Sequence, residues 1–267
     1  MKQYWVIDGH CDSILNYVEG KRSLLTPDEG GHWDIYRAKQ GGVVLQFMAG
    51  YIEGEFKPER GTLRGLELVH ALRSFVLAHP EDLFLIKGKE DVKQLSTAKI
   101  GVLLSVEGGE ILGQSLFLLD IIFELGVRAL GLTWNQRNAI GDGIGEKTQS
   151  KLTQFGEKVI QRMNELGMLI DVSHLSDKGF YDVARESKKP FIASHSNSRA
   201  IKNHPRNLTD DMIKVLSECG GVMGINFERS FIGDKENARM EDIIRHIKHI
   251  KSVGGIEVIA LGSDYDG

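Results

Sequence analysis

The sequence predicts an α/β fold, a (β/α)₈ barrel of the TIM-like kind that lacks an eighth helix. Its 267 residues suit one such barrel, which takes about 250 residues. Short runs rich in Val, Ile and Leu recur along the chain, with helical patterns between them. Alternating strands and helices imply a parallel sheet with right-handed crossovers. The number of strands favours a closed barrel over the alternative, an open doubly wound sheet.

Eight apolar runs are the predicted strands. Several are apolar almost without alternation, which is typical of parallel strands buried on both faces. The runs cover residues 4–12, 42–52, 99–108, 127–135, 167–174, 190–197, 220–227 and 258–266.

The predicted helices between the strands are amphipathic. Residues 152–166 and 240–253 carry apolar side chains at every third or fourth position, which makes one apolar stripe on each helix. Thr209 and Ser176 precede acidic residues where such patterns begin, and both are predicted N-caps. Because no linker rich in Pro, Gly or Ser divides the chain, residues 1–267 are predicted to form a single domain.

The end of the sequence bears on the closure of the predicted barrel. The chain stops at Gly267, directly after the eighth strand, and only seven helical segments precede it. Helices normally cover both strands where such a barrel closes. We therefore expect a C-terminally incomplete domain, either a fragment of a longer protein or a barrel whose seam a partner chain covers. Apolar residues of 4–7 and 258–261 are expected to meet water at that seam.

The composition excludes several classes of function. Hydrophobic residues make up 41% of the chain and charged residues 26%, as in ordinary globular proteins. The net charge of −4 favours neither nucleic acid nor an anionic membrane as a partner. No run approaches the roughly 20 apolar residues of a membrane span, and the first residues lack a signal-peptide pattern. With two cysteines there is no disulfide framework, so we expect a cytoplasmic protein.

Six ionisable residues fall at the carboxyl ends of the predicted strands, the face on which barrel enzymes carry their active sites. Alternate residues of a strand point the same way, so His10 and Asp12 are able to bind one ion together. Imidazoles and carboxylates suit zinc, with manganese or cobalt as alternatives, and they suffice for two ions if one carboxylate bridges. Two such ions would activate a water and polarise a carbonyl. The six residues are His10, Asp12, Glu107, His174, His195 and Asp264.

Three other features are weaker candidates for chemistry. Residues 141–148 resemble a phosphate loop but lack its Gly-Lys-Ser/Thr order, so a flexible loop between strand and helix is predicted. His246 and His249 have helical spacing, and a solvated helix face is predicted for them. Cys219 lies on an apolar helix face and is predicted to serve packing.

Taken in order along the chain, six short motifs give this sequence a specific resemblance to the membrane (renal) dipeptidase family, zinc peptidases of the amidohydrolase-like barrels. They run from near the first residue to the last. The motifs are DGHCD at 8–12, SVEGG at 105–109, IDVSH at 170–174, SHSNS at 194–198, HPRN at 204–207 and GSDYDG at 262–267.

The resemblance implies a role for each matching residue. His10 and Asp12 would hold one zinc ion, His174 and His195 the other, and Glu107 would bridge them. Asp264 would serve in proton transfer and in holding the substrate amino group. Arg206 would meet the terminal carboxylate of a dipeptide, a geometry that also suits the two-pronged guanidinium. The family also accepts a D-residue at the C-terminal position, and its members are commonly dimeric, which leaves a homodimer open.

The sequence departs from the family pattern after strand four. Animal members carry a His after Leu-Thr, whereas Leu132-Thr133 is followed here by Trp134 and Asn135. Asn135 or Asn138 is therefore expected to donate to the reaction's oxyanion in place of that His, and Trp134 is expected to shape the substrate pocket. Family members also continue past the GSDYDG motif.

These observations predict a metallo-dipeptidase with two zinc ions per chain, Asp264 and Glu107 as catalytic residues, and a small-molecule dipeptide as substrate. Nucleic acid and membrane are not expected as partners. Two alternatives stay open. The same site could hydrolyse another amide, such as an N-acyl amino acid or a lactam, or the barrel could bind metal or ligand without catalysis.

Overall fold

Eight parallel strands close into a barrel in the computed structural model, which describes residues 4–27 and 30–267. The described residues form nine strands, of which all but β3 belong to the closed barrel. The strands are β1 (Val6–Cys11), β2 (Val43–Tyr51), β3 (Leu83–Leu85), β4 (Ile100–Glu107), β5 (Val127–Gly131), β6 (Leu169–Asp171), β7 (Ile192–Ala193), β8 (Val222–Ile225) and β9 (Ile259–Leu261).

The predicted closed barrel is confirmed by two pairings. β2 pairs with β4 in a register that sets Tyr51 opposite Glu107 at the carboxyl end. β1 pairs with β9 through Asp8 and Leu261 and completes the ring. All eight predicted strands are present with narrower bounds, because the residues after each strand turn into the loops that carry the site.

One strand was not predicted. β3 pairs with the first residues of β4, from Ile100 to Val102, while β5 pairs with Leu104 to Glu107 on the same side. β3 therefore extends the sheet outside the barrel. A strand of three residues is too short to show a period in the sequence.

The helices lie between the strands, and two of them match the predicted apolar stripes of 152–166 and 240–253. The predicted N-caps are confirmed, since Thr209 accepts from the Met212 amide and Ser176 from the Gly179 amide. The α-helices of the described residues are α1 (Ile14–Val18), α2 (Ile35–Gln40), α3 (Gly61–Ala78), α4 (Lys89–Val92), α5 (Phe117–Glu124), α6 (Gln154–Leu166), α7 (Asp177–Glu186), α8 (Asp210–Glu218), α9 (Arg229–Ile232) and α10 (Met240–Gly254).

The core has two parts, because successive strand residues face opposite sides. The larger part packs the outer faces of the strands against the helices, as Val102 and Leu104 pack with Val69 and Leu72. The smaller part, around Leu103, fills the barrel interior at the amino ends of the strands. Apolar residues thus close one end of the barrel, and the ionisable residues occupy the other.

The seam between β1, β2 and β9 carries an outer groove of about 420 Å³, bordered by Val6, Val43 and Leu261. Of the apolar residues expected to meet water near this seam, Tyr4 and Trp5 are exposed, whereas Val258 is buried. Among the helices that the structure describes, none has the length and apolar character needed to cross a bilayer.

Candidate metal centre

The carboxyl ends of five strands bring the six predicted residues together. His10 lies on β1, followed by Asp12, and Glu107 is the last residue of β4. The other three follow their strands within three residues, His174 after β6, His195 after β7 and Asp264 after β9. All five side chains other than Asp264 are buried.

Glu107 lies between two groups of ligand atoms. Its Oε2 is 3.5 Å from His10 Nε2, which in turn is 3.3 Å from Asp12 Oδ2. Its Oε1 is 2.9 Å from His174 Nε2 and 3.6 Å from His195 Nε2. Each group has its ligand atoms within 4.8 Å of one another. One carboxylate oxygen of Glu107 therefore faces His10 and Asp12, and the other faces the imidazoles of His174 and His195.

Asp264 lies at the edge of the same cluster. Its Oδ1 is 3.9 Å from His10 Nε2, and it forms a third close group with His10 and His195. Asp264 and His174 both have positive φ, at 62° and 67°. This left-handed conformation is uncommon for residues other than glycine and is concentrated at functional sites.

The cluster fits a divalent cation on the evidence of its own polar atoms. His10 Nε2, Asp12 Oδ1 and Glu107 Oε1 are buried and form no hydrogen bond in the described part of the chain. His174 Nε2 and His195 Nε2 face each other at 2.9 Å. Buried polar groups without partners are costly, and oriented imidazole nitrogens beside carboxylates are the ligands that zinc and similar metals take.

Burial and the neighbouring charges set the protonation of these groups. Burial lowers the pKa of His174 to about 4, and Arg206 acts in the same direction. Burial also lowers the pKa of His195, with His10 and Arg206 acting in the same direction. Burial opposes ionisation of Glu107, but His174 and His10 outweigh it and hold its pKa well below the usual range. Neutral His174 and His195 beside an ionised Glu107 are the forms that bind a metal, whereas the carboxylates of Asp12 and Glu107 raise the pKa of His10 against the effect of burial.

A pocket of about 370 Å³ opens above the cluster. Asp12, Glu107, His174 and Asp264 line its floor, and Trp134 lines its wall. The other wall residues include Leu15, Tyr51, Asn135, Glu228 and Phe231.

Trp134 and Asn135, both predicted to contact substrate, line this pocket. The Trp134 ring lies 5.1 Å from the Tyr51 ring, and the Lys57 ammonium lies over both rings. Asn135 Oδ1 is 2.8 Å from His174 Nδ1, and its Nδ2 donates to no other described residue. Asn138, the alternative donor, instead gives its Nδ2 to the Leu132 carbonyl and lies outside the pocket lining.

Arg206 is buried beside the cluster. One of its amino groups donates to the His195 carbonyl at 3.1 Å, and its Nε has no hydrogen-bond partner. Within the described chain it forms no ion pair, and burial lowers its pKa. A buried guanidinium without a carboxylate partner is suited to receive an anion.

Asn226 is one of the residues near the site that were not predicted from the sequence. Asn226 follows β8 and donates from Nδ2 to Asp264 Oδ2 at 2.8 Å. Asn197 holds the Asn226 backbone in place, because its Nδ2 donates to the Asn226 carbonyl and its Oδ1 accepts from the Asn226 amide. The available signal was its position in the last residues of the predicted strand 220–227.

The interpretation of one weaker candidate was wrong. His246 is fully buried, with its Nδ1 accepting from the Ser198 amide and its Nε2 bonded to the Ile232 carbonyl. Helical spacing alone gave no sign of this burial. Residues 141–148 lie in the loop between β5 and α6, as predicted, and Asp142 accepts there from Arg137, Thr148 and the Ser150 amide. Cys219 packs at the end of α8 against the core, as predicted.

A family model described as membrane dipeptidase (peptidase family M19) matches residues 1–267 of this sequence. The chain belongs to this family. It is therefore a metal-dependent dipeptidase, a hydrolase that acts on peptide bonds. The resemblance that the six motifs indicated is confirmed.

Solved structures share the fold of this M19 chain. The dipeptidase AC, a metallopeptidase of family M19, is 29% identical with a TM-score of 0.92, over 100% of this chain and 86% of that one. A second structure is a metallopeptidase from Rhodobacter sphaeroides, liganded with a phosphinate mimic of the dipeptide L-Ala-D-Ala. It is 27% identical with a TM-score of 0.92, and the match covers 100% of this chain and 87% of that one. An amidohydrolase from Pseudomonas aeruginosa, 21% identical with a TM-score of 0.83 over 98% and 74%, shares the barrel fold.

Proposed function

We propose that this M19 chain is a binuclear zinc dipeptidase whose two metal ions share Glu107. The observation that carries the proposal is the division of the Glu107 carboxylate, with Oε2 toward His10 and Oε1 toward His174 and His195. A carboxylate that only neutralised one histidine would not need both oxygens to face imidazole nitrogens.

In this proposal His10 and Asp12 hold one ion, His174 and His195 hold the other, and Glu107 bridges them. The nitrogen and oxygen donors favour zinc, and they also accept manganese or cobalt. The bound ions would activate a water molecule and polarise the scissile carbonyl.

The substrate would be oriented by Arg206. Its guanidinium is buried beside the cluster and lacks an ion-pair partner among the described residues, so a terminal carboxylate would satisfy it. A pocket of about 370 Å³ lies in the range that small ligands occupy. Trp134 would contact a substrate side chain, and Asn135 Nδ2 would donate to the carbonyl oxygen as charge develops on it.

Asp264 would move the proton. It lies at the cluster edge, where burial raises its pKa although His10 opposes the shift. Asn226 fixes its orientation. A carboxylate placed there would take a proton from the attacking water and pass it to the leaving amine. The Rhodobacter sphaeroides relative carries a mimic of L-Ala-D-Ala, which supports a D-residue at the C-terminal position here as well.

Metal analysis combined with a substrate panel tests this function. Protein stripped with chelator is reloaded with zinc, and its metal content and its hydrolysis of L,L and L,D dipeptides, N-acetyl amino acids and a lactam are measured. We expect two zinc ions per chain and zinc-dependent cleavage of dipeptides. A content of one ion contradicts the shared role of Glu107, and cleavage of the other amides without dipeptide cleavage contradicts the substrate.

A further inference from the structure

A buried hydrogen-bonded group lies behind the imidazoles, outside the set of ligand residues. Its centre is Asp171, the last residue of β6. Asp171 Oδ1 accepts from the Ser173 and Ser194 backbone amides, each at 2.9 Å. Its Oδ2 accepts from the Ser194 hydroxyl at 2.5 Å. One carboxylate oxygen therefore binds two backbone amides, and the other binds a side-chain hydroxyl.

The Ser194 hydroxyl connects this carboxylate to the imidazoles. Its Oγ lies 2.8 Å from His195 Nδ1 and 3.5 Å from His10 Nδ1, and the two rings lie 3.9 Å apart between centroids. A hydroxyl has one hydrogen to donate and two lone pairs with which to accept. Because the shortest contact of Oγ is with the Asp171 carboxylate, the Ser194 hydroxyl donates its hydrogen to Asp171. The lone pairs of Oγ then face His195 Nδ1 and, at longer range, Ser173 Oγ and His10 Nδ1, so His195 is the donor in its contact with Ser194.

We propose that Asp171 and Ser194 form a positioning relay that keeps the proton of His195 on Nδ1 and leaves the Nε2 lone pair directed at the metal centre. The inference rests on the proposed function in so far as His195 is a metal ligand. A carboxylate that orients a ligand histidine also raises its basicity, and loss of such a partner typically lowers metal affinity by about 10–100-fold.

The histidine on the other side of the centre is held by different means. His174 Nδ1 faces Asn135 Oδ1, an uncharged acceptor from the loop after β5. Asp171 thus supplies the negative charge behind His195, and the Ser194 hydroxyl that connects the two also lies 3.5 Å from His10 Nδ1. This makes the relay a separate determinant of affinity from the ligands themselves.

Asp171→Asn should reverse the direction of the hydrogen bonds from residue 171 through Ser194 to His195, with little change in the shape of the side chain. The Asn oxygen keeps the two backbone amides that Oδ1 holds, so the new NH₂ group faces Ser194 Oγ. The hydroxyl hydrogen is then free to turn toward His195 Nδ1, which at 2.8 Å is nearer than Ser173 Oγ at 3.3 Å, and this favours the tautomer protonated on Nε2. That tautomer has no lone pair for a metal. Ser194→Ala removes the acceptor while keeping the Asp171 charge, and it serves if the first variant folds poorly.

Asp8→Asn is the matched control. Asp8 is also a buried carboxylate that accepts from a serine hydroxyl and a backbone amide, both of Ser263, at the same end of the barrel. Neither Asp8 nor Ser263 contacts an imidazole through its side chain among the described hydrogen bonds. The control therefore reproduces the loss of a buried charge without touching a histidine ring.

The experiment reads the His195 tautomer by long-range ¹H–¹⁵N NMR in metal-free protein, assigned with a His195→Gln variant, and zinc affinity by competition with a chelator. We expect Nδ1–H in the parent and in Asp8→Asn, and Nε2–H in Asp171→Asn. Zinc affinity should fall about 10–100-fold in Asp171→Asn and in Ser194→Ala. An unchanged tautomer, or equal losses of affinity in Asp8→Asn, overturns the relay. If the parent protein binds no zinc, the proposed function fails. The His195 tautomer in metal-free protein still tests the relay in that case.

Discussion

At the scale of single residues, the site combines groups that are costly to bury. Arg206 and Asp264 both lie outside the two ligand groups that share Glu107, yet both are close enough to influence them. A buried charge without a partner, such as that of Arg206, is strongly destabilising. The placement of Arg206 and Asp264 therefore indicates that a ligand with complementary charges completes the site.

Asp264→Asn tests the proton-transfer role. The substitution keeps the shape and the neighbours of the side chain but removes its basicity. We expect kcat to fall at least about 100-fold, as for other positioned proton-transfer groups, with little change in zinc content. Activity and metal content are measured on the same preparation. Turnover equal to the parent enzyme would remove Asp264 from the mechanism.

Arg206 is tested by changing the substrate as well as the enzyme. A dipeptide amidated at its C-terminus cannot pair with the guanidinium, so its kcat/KM should be lower than that of the free acid by the equivalent of about 2–5 kcal/mol. Arg206→Ala should lose most of this preference, since the variant treats both substrates alike. Equal rates for acid and amide with the parent enzyme would show that Arg206 binds something else.

At the scale of elements, the loop between β5 and α6 connects site geometry to stability. Asp142 anchors this loop, which also carries Trp134 and Asn135. Burial opposes ionisation of Asp142, but hydrogen bonds from Arg137, Thr148 and Ser150 outweigh it and hold its pKa below the usual range. A lowered pKa in the folded state adds stability above the unfolded pKa of about 3.9, and this stability is lost as the pH falls through the folded pKa.

Asp142→Asn should accordingly destabilise the protein in a pH-dependent way. At pH 7 we expect a loss of about 1–3 kcal/mol in the free energy of unfolding, since a buried anionic acceptor is removed. The difference between variant and parent should shrink as the pH falls below about 4. Urea unfolding at several pH values measures this. Glu218→Asn, on an exposed helix position, is a control for charge removal, and a difference that does not vary with pH would contradict the assignment.

At the scale of the whole molecule, the candidate metal centre joins strands that are far apart in the chain. β1, β4, β6, β7 and β9 all contribute to it. Ligands that meet only in the folded barrel bind metal in the native state, so metal binding and folding are linked.

Removal of metal should lower the melting temperature. Zinc at 100 times its dissociation constant adds about 2.7 kcal/mol per site, which corresponds to roughly 5–10 °C for a protein of this size. Thermal unfolding of chelated and zinc-loaded protein measures the shift. His174→Gln should reduce the shift by removing one ligand, whereas an equal shift in that variant would indicate zinc binding elsewhere.

The sequence by itself determined the barrel and the six residues of the centre. The strand and helix patterns are local, with periods of two and 3.6 residues, and parallel strands bring their carboxyl ends to one face. His10, Glu107 and Asp264 were therefore expected together although they lie far apart in the chain. Arg206 was identified through the HPRN motif, since no local pattern distinguishes it from a surface arginine.

Only the tertiary structure decided how these residues face one another. The division of Glu107 between two groups, the relay of Asp171 and Ser194, the contact of Asn226 with Asp264 and the burial of His246 each depend on which loop lies beside which strand. Such contacts join residues whose side-chain directions are set by loop backbone, as in the left-handed conformations of His174 and Asp264. A sequence period carries no information about those directions, because it describes strands and helices and ends where the loops begin.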